Sequence, residues 1–369
     1  MPLIRSLPAL LALSLLAPAV HALPLGTLKL PDGFAISVAA DDLRKPRQMS
    51  LADDGTVFVG STSGDVTALR DGDGDGLYET RHRIARGLRL PAGVAIHDGD
   101  LYVSAVSRIL RYPAITTRLA NPGEPLTVID TLPSDGHHGL KHIAFGPDGR
   151  LYVPIGAPCN VCDRDGYARL TSMTSNGDDV RMEALGIRNT VGFDWQPESN
   201  QLWFSDNGRD WLGDDSPDDE LNRVSQRGEH FGFPYCHADG IVDPEFGEGR
   251  VCADYTPPVF GLGAHVAALG IHFYRGQAFP ARYRGALFIA EHGSWNRSRK
   301  SGYRVVVVRF EDGQPQPPEV FAEGWLNGQR NWGRPVALTE TAGGDLLLSD
   351  DQAGVIYRIR YDATASPTP

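Results

Sequence analysis

An all-β fold, a six-bladed β-propeller of four-stranded antiparallel blades, is predicted by three features of the sequence. One strand pattern occurs six times, shorter apolar fragments flank most of its copies, and no long stretch shows helical periodicity. The pattern is a turn of Asp, Gly or Asn, then a short apolar strand, then a small or acidic residue. Its copies are DDGTVFVGS (53–61), HDGDLYVSA (97–105), PDGRLYVPIG (147–156), ESNQLWFSDN (198–207), YRGALFIAEH (283–292) and AGGDLLLSDD (342–351).

Each copy supplies one strand, and the flanking fragments supply the others. PAGVAIH, HIAFGP, VGFDWQP and LGIHFY precede copies, while DVTALRD, RILRYP, RVVVVRF and VIYRIRY follow them. About four strands per unit, joined by tight turns, read as one blade. A blade packs both faces against its neighbours, so runs such as VVVV and LLL need no alternation. A ring must close, and the early strand FAISVAA can complete the last blade. Spacing is near fifty residues except for about 85 between the fourth and fifth copies, which predicts an insertion there. The expected organisation is a leader over 1–22, a single propeller over 23–362 and a disordered tail over 363–369.

The leader follows from MPLIR, a short basic segment, then SLPALLALSLLAPAV, then the small-x-small site Val20-His21-Ala22. It predicts a cleaved signal peptide and a periplasmic or secreted monomer with no membrane span. The formal charge of −11 argues against nucleic acid or an anionic membrane as partner. The cysteines suit an oxidising compartment. Haem attachment needs a His after C-x-x-C, and position 163 is Asp; zinc would need a second close pair. Two local bridges, Cys159–Cys162 and Cys236–Cys252, are the simplest of the three pairings that four cysteines allow.

The stretch DGDGDG (71–76) imitates a calcium loop, but an EF-hand needs Glu at loop position twelve, which is His82, and helical flanks. An acidic hairpin tip and a weakly clipped calcium ion are the two readings left. Four further clusters stand where loops leave the blades. SDGHHGLKHIAFGPDG brings His137 and His138 to a blade entrance. LGIRNTVGFDWQP brings Arg188, whose guanidinium offers fixed donors for a carboxylate or quinone oxygen, and Asn189. SDNGRDWLGDDSPDDELN is an acidic loop, solvated or calcium-binding. AEHGSWNRS and NWGRPVALTE bring His292, Trp295, Arg297, Trp332 and Arg334, which suit a flat anion or a sugar ring.

Through GIRNTVGFDW, HGSWNRS and GRPVAL, the chain resembles the pyrroloquinoline-quinone (PQQ)-dependent soluble sugar dehydrogenases, closest to their sorbosone-dehydrogenase-like branch, over nearly all of its mature length. The resemblance implies a six-bladed propeller holding PQQ and Ca²⁺ at its central mouth. It makes His138 the catalytic base and Arg188 the group against the reactive quinone carbonyl. Asn189 and Arg334 become cofactor-binding residues. Trp332 stands where a partner arginine would be, and Arg297 where a lysine would be. Gly208 and Arg209 supply two successive backbone carbonyls to calcium. A carboxylate that orients the base is replaced by Ala157, and a glutamine expected near residues 89 and 90 is absent. The implied reaction is oxidation of an aldose or sorbosone-like sugar by hydride transfer to the quinone, with electrons passed to a separate quinone or cytochrome. Two rivals are a calcium-dependent lactonase-type propeller, which would need carboxylates converging on a central metal, and a non-catalytic binding propeller.

Overall fold

The computed structural model describes residues 23–363; the leader and all but the first residue of the tail lie outside them. Among the described residues, no helix is long and apolar enough to cross a membrane. The chain folds into a six-bladed propeller. Blade 1 is Pro46–Leu51, Val57–Ser61, Val66–Arg70 and Thr80–Ala85. Blade 2 is Val94–His97, Asp100–Ala105, Arg108–Tyr112 and Leu126–Ile129. Blade 3 is Ala144–Phe145, Leu151–Ile155, Arg169–Met173 and Arg181–Leu185. Blade 4 is Gly192–Trp195, Leu202–Asp206, Asp218–Arg223 and Phe260–Ala264. Blade 5 is Ala268–Phe273, Leu287–Glu291, Arg304–Val308 and Glu319–Ala322. Blade 6 takes Pro335–Glu340, Leu346–Asp350 and Val355–Tyr361, and its outer strand is the early Phe34–Ala40.

Every copy of the repeated pattern becomes the second strand of its blade, buried along its whole length except at Asp100, which opens the strand of blade 2 half-buried. The small residue that ends several copies has a structural task. Ser104 Oγ lies 2.8 Å from the Lys141 carbonyl, Ser205 Oγ 2.6 Å from that of Leu269, and Ser349 Oγ 2.7 Å from that of Arg47. Each hydroxyl donates across the gap to the start of the next blade, which satisfies a buried carbonyl near the axis. A larger side chain there would push neighbouring blades apart.

The ring closes between the termini. Phe34 pairs with Tyr361 and Ile36 with Ile359 in antiparallel register. The Phe34 ring sits 4.8 Å from Phe279, 5.0 Å from Phe321 and 5.3 Å from Tyr283, so one aromatic side chain ties the closing strand to blade 5. Burying such a ring contributes about 2–3 kcal/mol.

The predicted insertion lies between the third and fourth strands of blade 4. It carries the Cys236–Cys252 bridge, and its Glu229–His230 segment adds a short parallel strand to blade 3. Cys159 and Cys162 are bridged as well. DGDGDG is a tip between the third and fourth strands of blade 1, at the outer edge. Its carboxylates cap their own turn: Asp71 accepts from the Gly74 and Gly76 N–H groups, and Asp75 from that of Leu77.

Candidate active site

One cavity of about 490 Å³ lies where loops from all six blades converge. Arg47 and Thr62 come from blade 1, Leu90 from the approach to blade 2 and His138 from the approach to blade 3. Arg188 and Asn189 precede blade 4. Blade 5 gives His292 and Trp295, and Arg334 precedes blade 6.

His138 and Arg188 are brought together by the stretch after strand Leu151–Ile155. The Ala157 carbonyl lies 2.8 Å from His138 Nδ1, and the Ala157 N–H donates to the Arg188 carbonyl at 2.8 Å. A backbone carbonyl thus does the orienting that a carboxylate would do at this position. Gly156 makes the approach possible: a Cβ there would come within 2.7 Å of His138 Cβ and 3.3 Å of the Arg188 carbonyl oxygen. With Nδ1–H directed at a carbonyl, Nε2 carries the lone pair. Burial, followed by the Arg188 and His137 charges, pushes the His138 pKa down to about 2, so the ring is a neutral acceptor throughout the physiological range.

Arg188 is 4% exposed. Its Nε donates to the Asn160 carbonyl at 2.8 Å and Nη1 to the Asn207 carbonyl at 3.1 Å. Nη2 donates to Asn160 Oδ1 at 2.9 Å and Asp210 Oδ2 at 3.0 Å. Four of the five guanidinium N–H donors are committed, and the fifth, on Nη1, remains for a ligand. The Arg188 and Asn189 N–H groups are fixed by the Asp206 carboxylate at 2.8 and 2.6 Å. Burial and the neighbouring Glu220 push the Asp206 pKa well above the usual carboxylate range.

Arg334 donates from Nε to the His292 carbonyl at 3.0 Å and from Nη2 to that of Gly293. Among the described residues no carboxylate lies within ion-pair distance of it, and burial disfavours its charge. A half-buried cation without an anion is poised for an anionic ligand. Arg47 is better compensated: its Nη1 lies 2.7 Å from Asp351, which also accepts from His292 Nε2 at 2.8 Å.

The two remaining side chains proposed for the cofactor lie elsewhere. Arg297 Nε donates to the Asp214 carbonyl at 2.9 Å and Nη2 to Asp215, which draws it into a separate cleft. Trp332 Nε1 donates to the Gly324 carbonyl at 2.8 Å, and its ring packs on the core of blades 5 and 6. Gly208 lines the cavity, whereas the Arg209 side chain is turned away, paired with Asp243 and with Glu245 at 2.9 Å in the insertion. Only the Arg209 backbone carbonyl is left for a cation. His137 is exposed, bonds the Cys159 backbone and does not line the cavity.

Sequence reasoning passed over Arg47 and Asn160. Arg47 had a signal: PRQMSL, IRNTVGF and GRPVAL each place an arginine just before or within the innermost strand of a blade. At the rim, Trp211 and Trp295 are 69% and 68% exposed, with rings 5.6 Å apart and nearly perpendicular.

Comparison with known proteins agrees with this architecture. The chain is 33% identical over 356 residues, 91% of each chain, to an uncharacterized protein of Borreliella burgdorferi. It is 28% identical over 201 residues to the aldose sugar dehydrogenase YliI of Escherichia coli, which covers 48% of this chain and 52% of that one. The fold superposes on the PQQ domain of Coprinopsis cinerea pyranose dehydrogenase in its holo form with a TM-score of 0.74 and 17% identity, over 90% of this chain and 97% of that one. The TrAA12-like family profile matches residues 28–362. The chain belongs to the TrAA12-like family, and it shares its propeller with the soluble sugar dehydrogenases that its motifs resemble.

Proposed function

We propose that this protein oxidises a sugar at a hydroxyl-bearing carbon, with PQQ as the bound oxidant and Ca²⁺ beside it. The observation that carries the reading is the pairing, across one cavity wall, of a neutral histidine with a free nitrogen lone pair and an arginine with one uncommitted donor. The cavity fits the group by its chemistry. PQQ is a flat trianion, and the site offers Arg334, which has no carboxylate partner among the described residues, the spare donor of Arg188, Arg47 and the Asn189 amide. Gly208 and Arg209 carbonyls accept no hydrogen bond among the described residues, which leaves two hard oxygens for calcium.

When bound, PQQ supplies an electrophilic carbonyl carbon that accepts a hydride. The chain's own part is proton transfer, position and field. His138 Nε2 takes the proton of the substrate hydroxyl, and Nδ1 stays on the Ala157 carbonyl so that the ring keeps its orientation as charge develops. The Nη1 donor of Arg188 points positive charge at the oxygen on which negative charge grows. Trp211 and Trp295 give the rim two indole faces of the kind on which the C–H face of a sugar ring stacks. A lactonase-type reading is disfavoured, because the lining carboxylates Asp210 and Asp219 are already bound to protein N–H groups and, among the described residues, the one group of three or more converging acidic side chains is the DGDGDG tip at the outer edge of blade 1. Electrons would leave to a separate quinone or cytochrome. Purified apo-protein given PQQ and Ca²⁺ should reduce an electron-accepting dye when an aldose, a pyranose or sorbosone is added. Sugar-independent silence across that panel would overturn the reading.

A further inference from the structure

The loop between Cys159 and Cys162 has no role in the mechanism above, yet its contacts converge on the groups that do. Asn160 accepts two of Arg188's four committed donors, through its carbonyl at 2.8 Å and Oδ1 at 2.9 Å. The same Oδ1 accepts the Asp210 N–H at 2.8 Å while Nδ2 donates to the Asp210 carbonyl at 3.0 Å, so the amide pairs with the Asp210 backbone as a neighbouring strand would. His137 bonds the Cys159 backbone, and Ala157, two residues before the bridge, holds both His138 and the Arg188 carbonyl. A disulfide closes this loop directly around Asn160.

We propose that Asn160, locked between the bridged Cys159 and Cys162, is the positioning residue that sets the Arg188 guanidinium, so that the bridge fixes which single donor the arginine presents. The reason is steric and entropic. An arginine side chain loses many rotamers when it is fixed, and a rigid acceptor pair holds its fork in one plane. Asn160 supplies that pair, and a bridge between cysteines three positions apart removes the loop's own freedom. That Arg188 acts on a quinone rests on the function proposed above; that Asn160 fixes Arg188 does not.

The test uses the full mature chain and two separate readouts. The first is modification of Arg188 by phenylglyoxal, followed by peptide mass spectrometry without any cofactor. In the wild type Arg188 should be protected. In Asn160→Ala the backbone carbonyl still accepts from Nε and only the Oδ1 acceptor is lost, so Arg188 should react roughly tenfold faster, the factor expected for losing one hydrogen bond. Asn160→Asp keeps an acceptor oxygen toward the guanidinium and should stay protected, which separates the clasp from general loosening. Cys159→Ser/Cys162→Ser should raise the reactivity with Asn160 in place. The second readout is titration with PQQ. Asn160→Ala should keep full site stoichiometry while its Kd rises about tenfold, the equivalent of one hydrogen bond, and while kcat falls with the sugar KM unchanged. Unchanged Arg188 reactivity in Asn160→Ala overturns the clasp, and unchanged reactivity in the double serine variant overturns the part assigned to the bridge. A wild type that binds no PQQ, with the reactivity changes present, overturns the proposed function and leaves the clasp standing.

Discussion

Replacing His138 by glycine should separate activity from stability. His138 adopts φ +48°, a left-handed conformation that costs a non-glycine residue about 1–2 kcal/mol. Glycine removes that cost. Against it stand the lost bond to the Ala157 carbonyl, about 1 kcal/mol, and the extra freedom of an unfolded glycine, about 0.5–1 kcal/mol. The terms nearly cancel, so His138→Gly should melt within about 2 °C of the wild type, given how little each kcal/mol moves a chain of this size. Alanine keeps the backbone strain and loses the same bond, so His138→Ala should be the less stable of the two by about 1 kcal/mol. Both should lose roughly 10²- to 10⁴-fold in rate, the usual worth of a positioned proton acceptor. Calorimetry and dye reduction on the two variants, with His137→Ala as an active control, check all of this. A glycine variant that turns over normally would refute the assignment of the base. An alanine variant more stable than glycine would refute the strain argument.

Arg334→Ala should weaken PQQ binding about 10- to 100-fold, the worth of a charge-assisted hydrogen bond, whereas Arg297→Ala should leave Kd within about twofold because Asp214 and Asp215 hold it away from the cavity; isothermal titration compares them. Glu220→Gln should alter the pH dependence of stability. Burial pushes the Glu220 pKa up to about 7, so between about pH 4.5 and 7 the native state keeps a proton that the unfolded chain releases, and wild-type stability falls as pH rises through that window. The melting temperature of the variant relative to wild type should therefore climb from pH 5 to pH 7 and level off above, at no more than about 1.4 kcal/mol per pH unit; a flat difference would contradict it. Asp73→Asn with Asp75→Asn should leave PQQ affinity and turnover unchanged, since those carboxylates cap a tip at the outer edge of blade 1; calcium-rescued loss of activity would show that the functional ion sits there.

The ring was legible because the second strand of a blade is buried on both faces, so VFV, LYV, LWF and LLL carry the same apolar signal in the sequence and in the fold. His138, Arg188 and Arg334 were legible as polar residues at blade entrances, where a scaffold alone has little use for them. Arg297 carried the same signal and failed, because the sequence does not show that Asp214 and Asp215 face it from a loop 82 residues away. The Arg47–Asp351 pair escaped for the same reason: 304 residues separate its members, and only ring closure makes them neighbours. Asn160 was hidden inside a C-x-x-C motif whose cysteines drew the reading, although the first of the two residues between them bonds the arginine.

One single-turnover measurement tests the account most directly. Wild-type protein is loaded with PQQ and Ca²⁺ at one equivalent, freed of dye and oxygen, and mixed with an excess of aldose or pyranose while the absorbance of the bound quinone is followed. The account predicts loss of the oxidised-quinone band with one sugar oxidised per site, slowed roughly 10²-fold or more in His138→Gly. Binding of PQQ with no sugar-dependent change in its spectrum would contradict it.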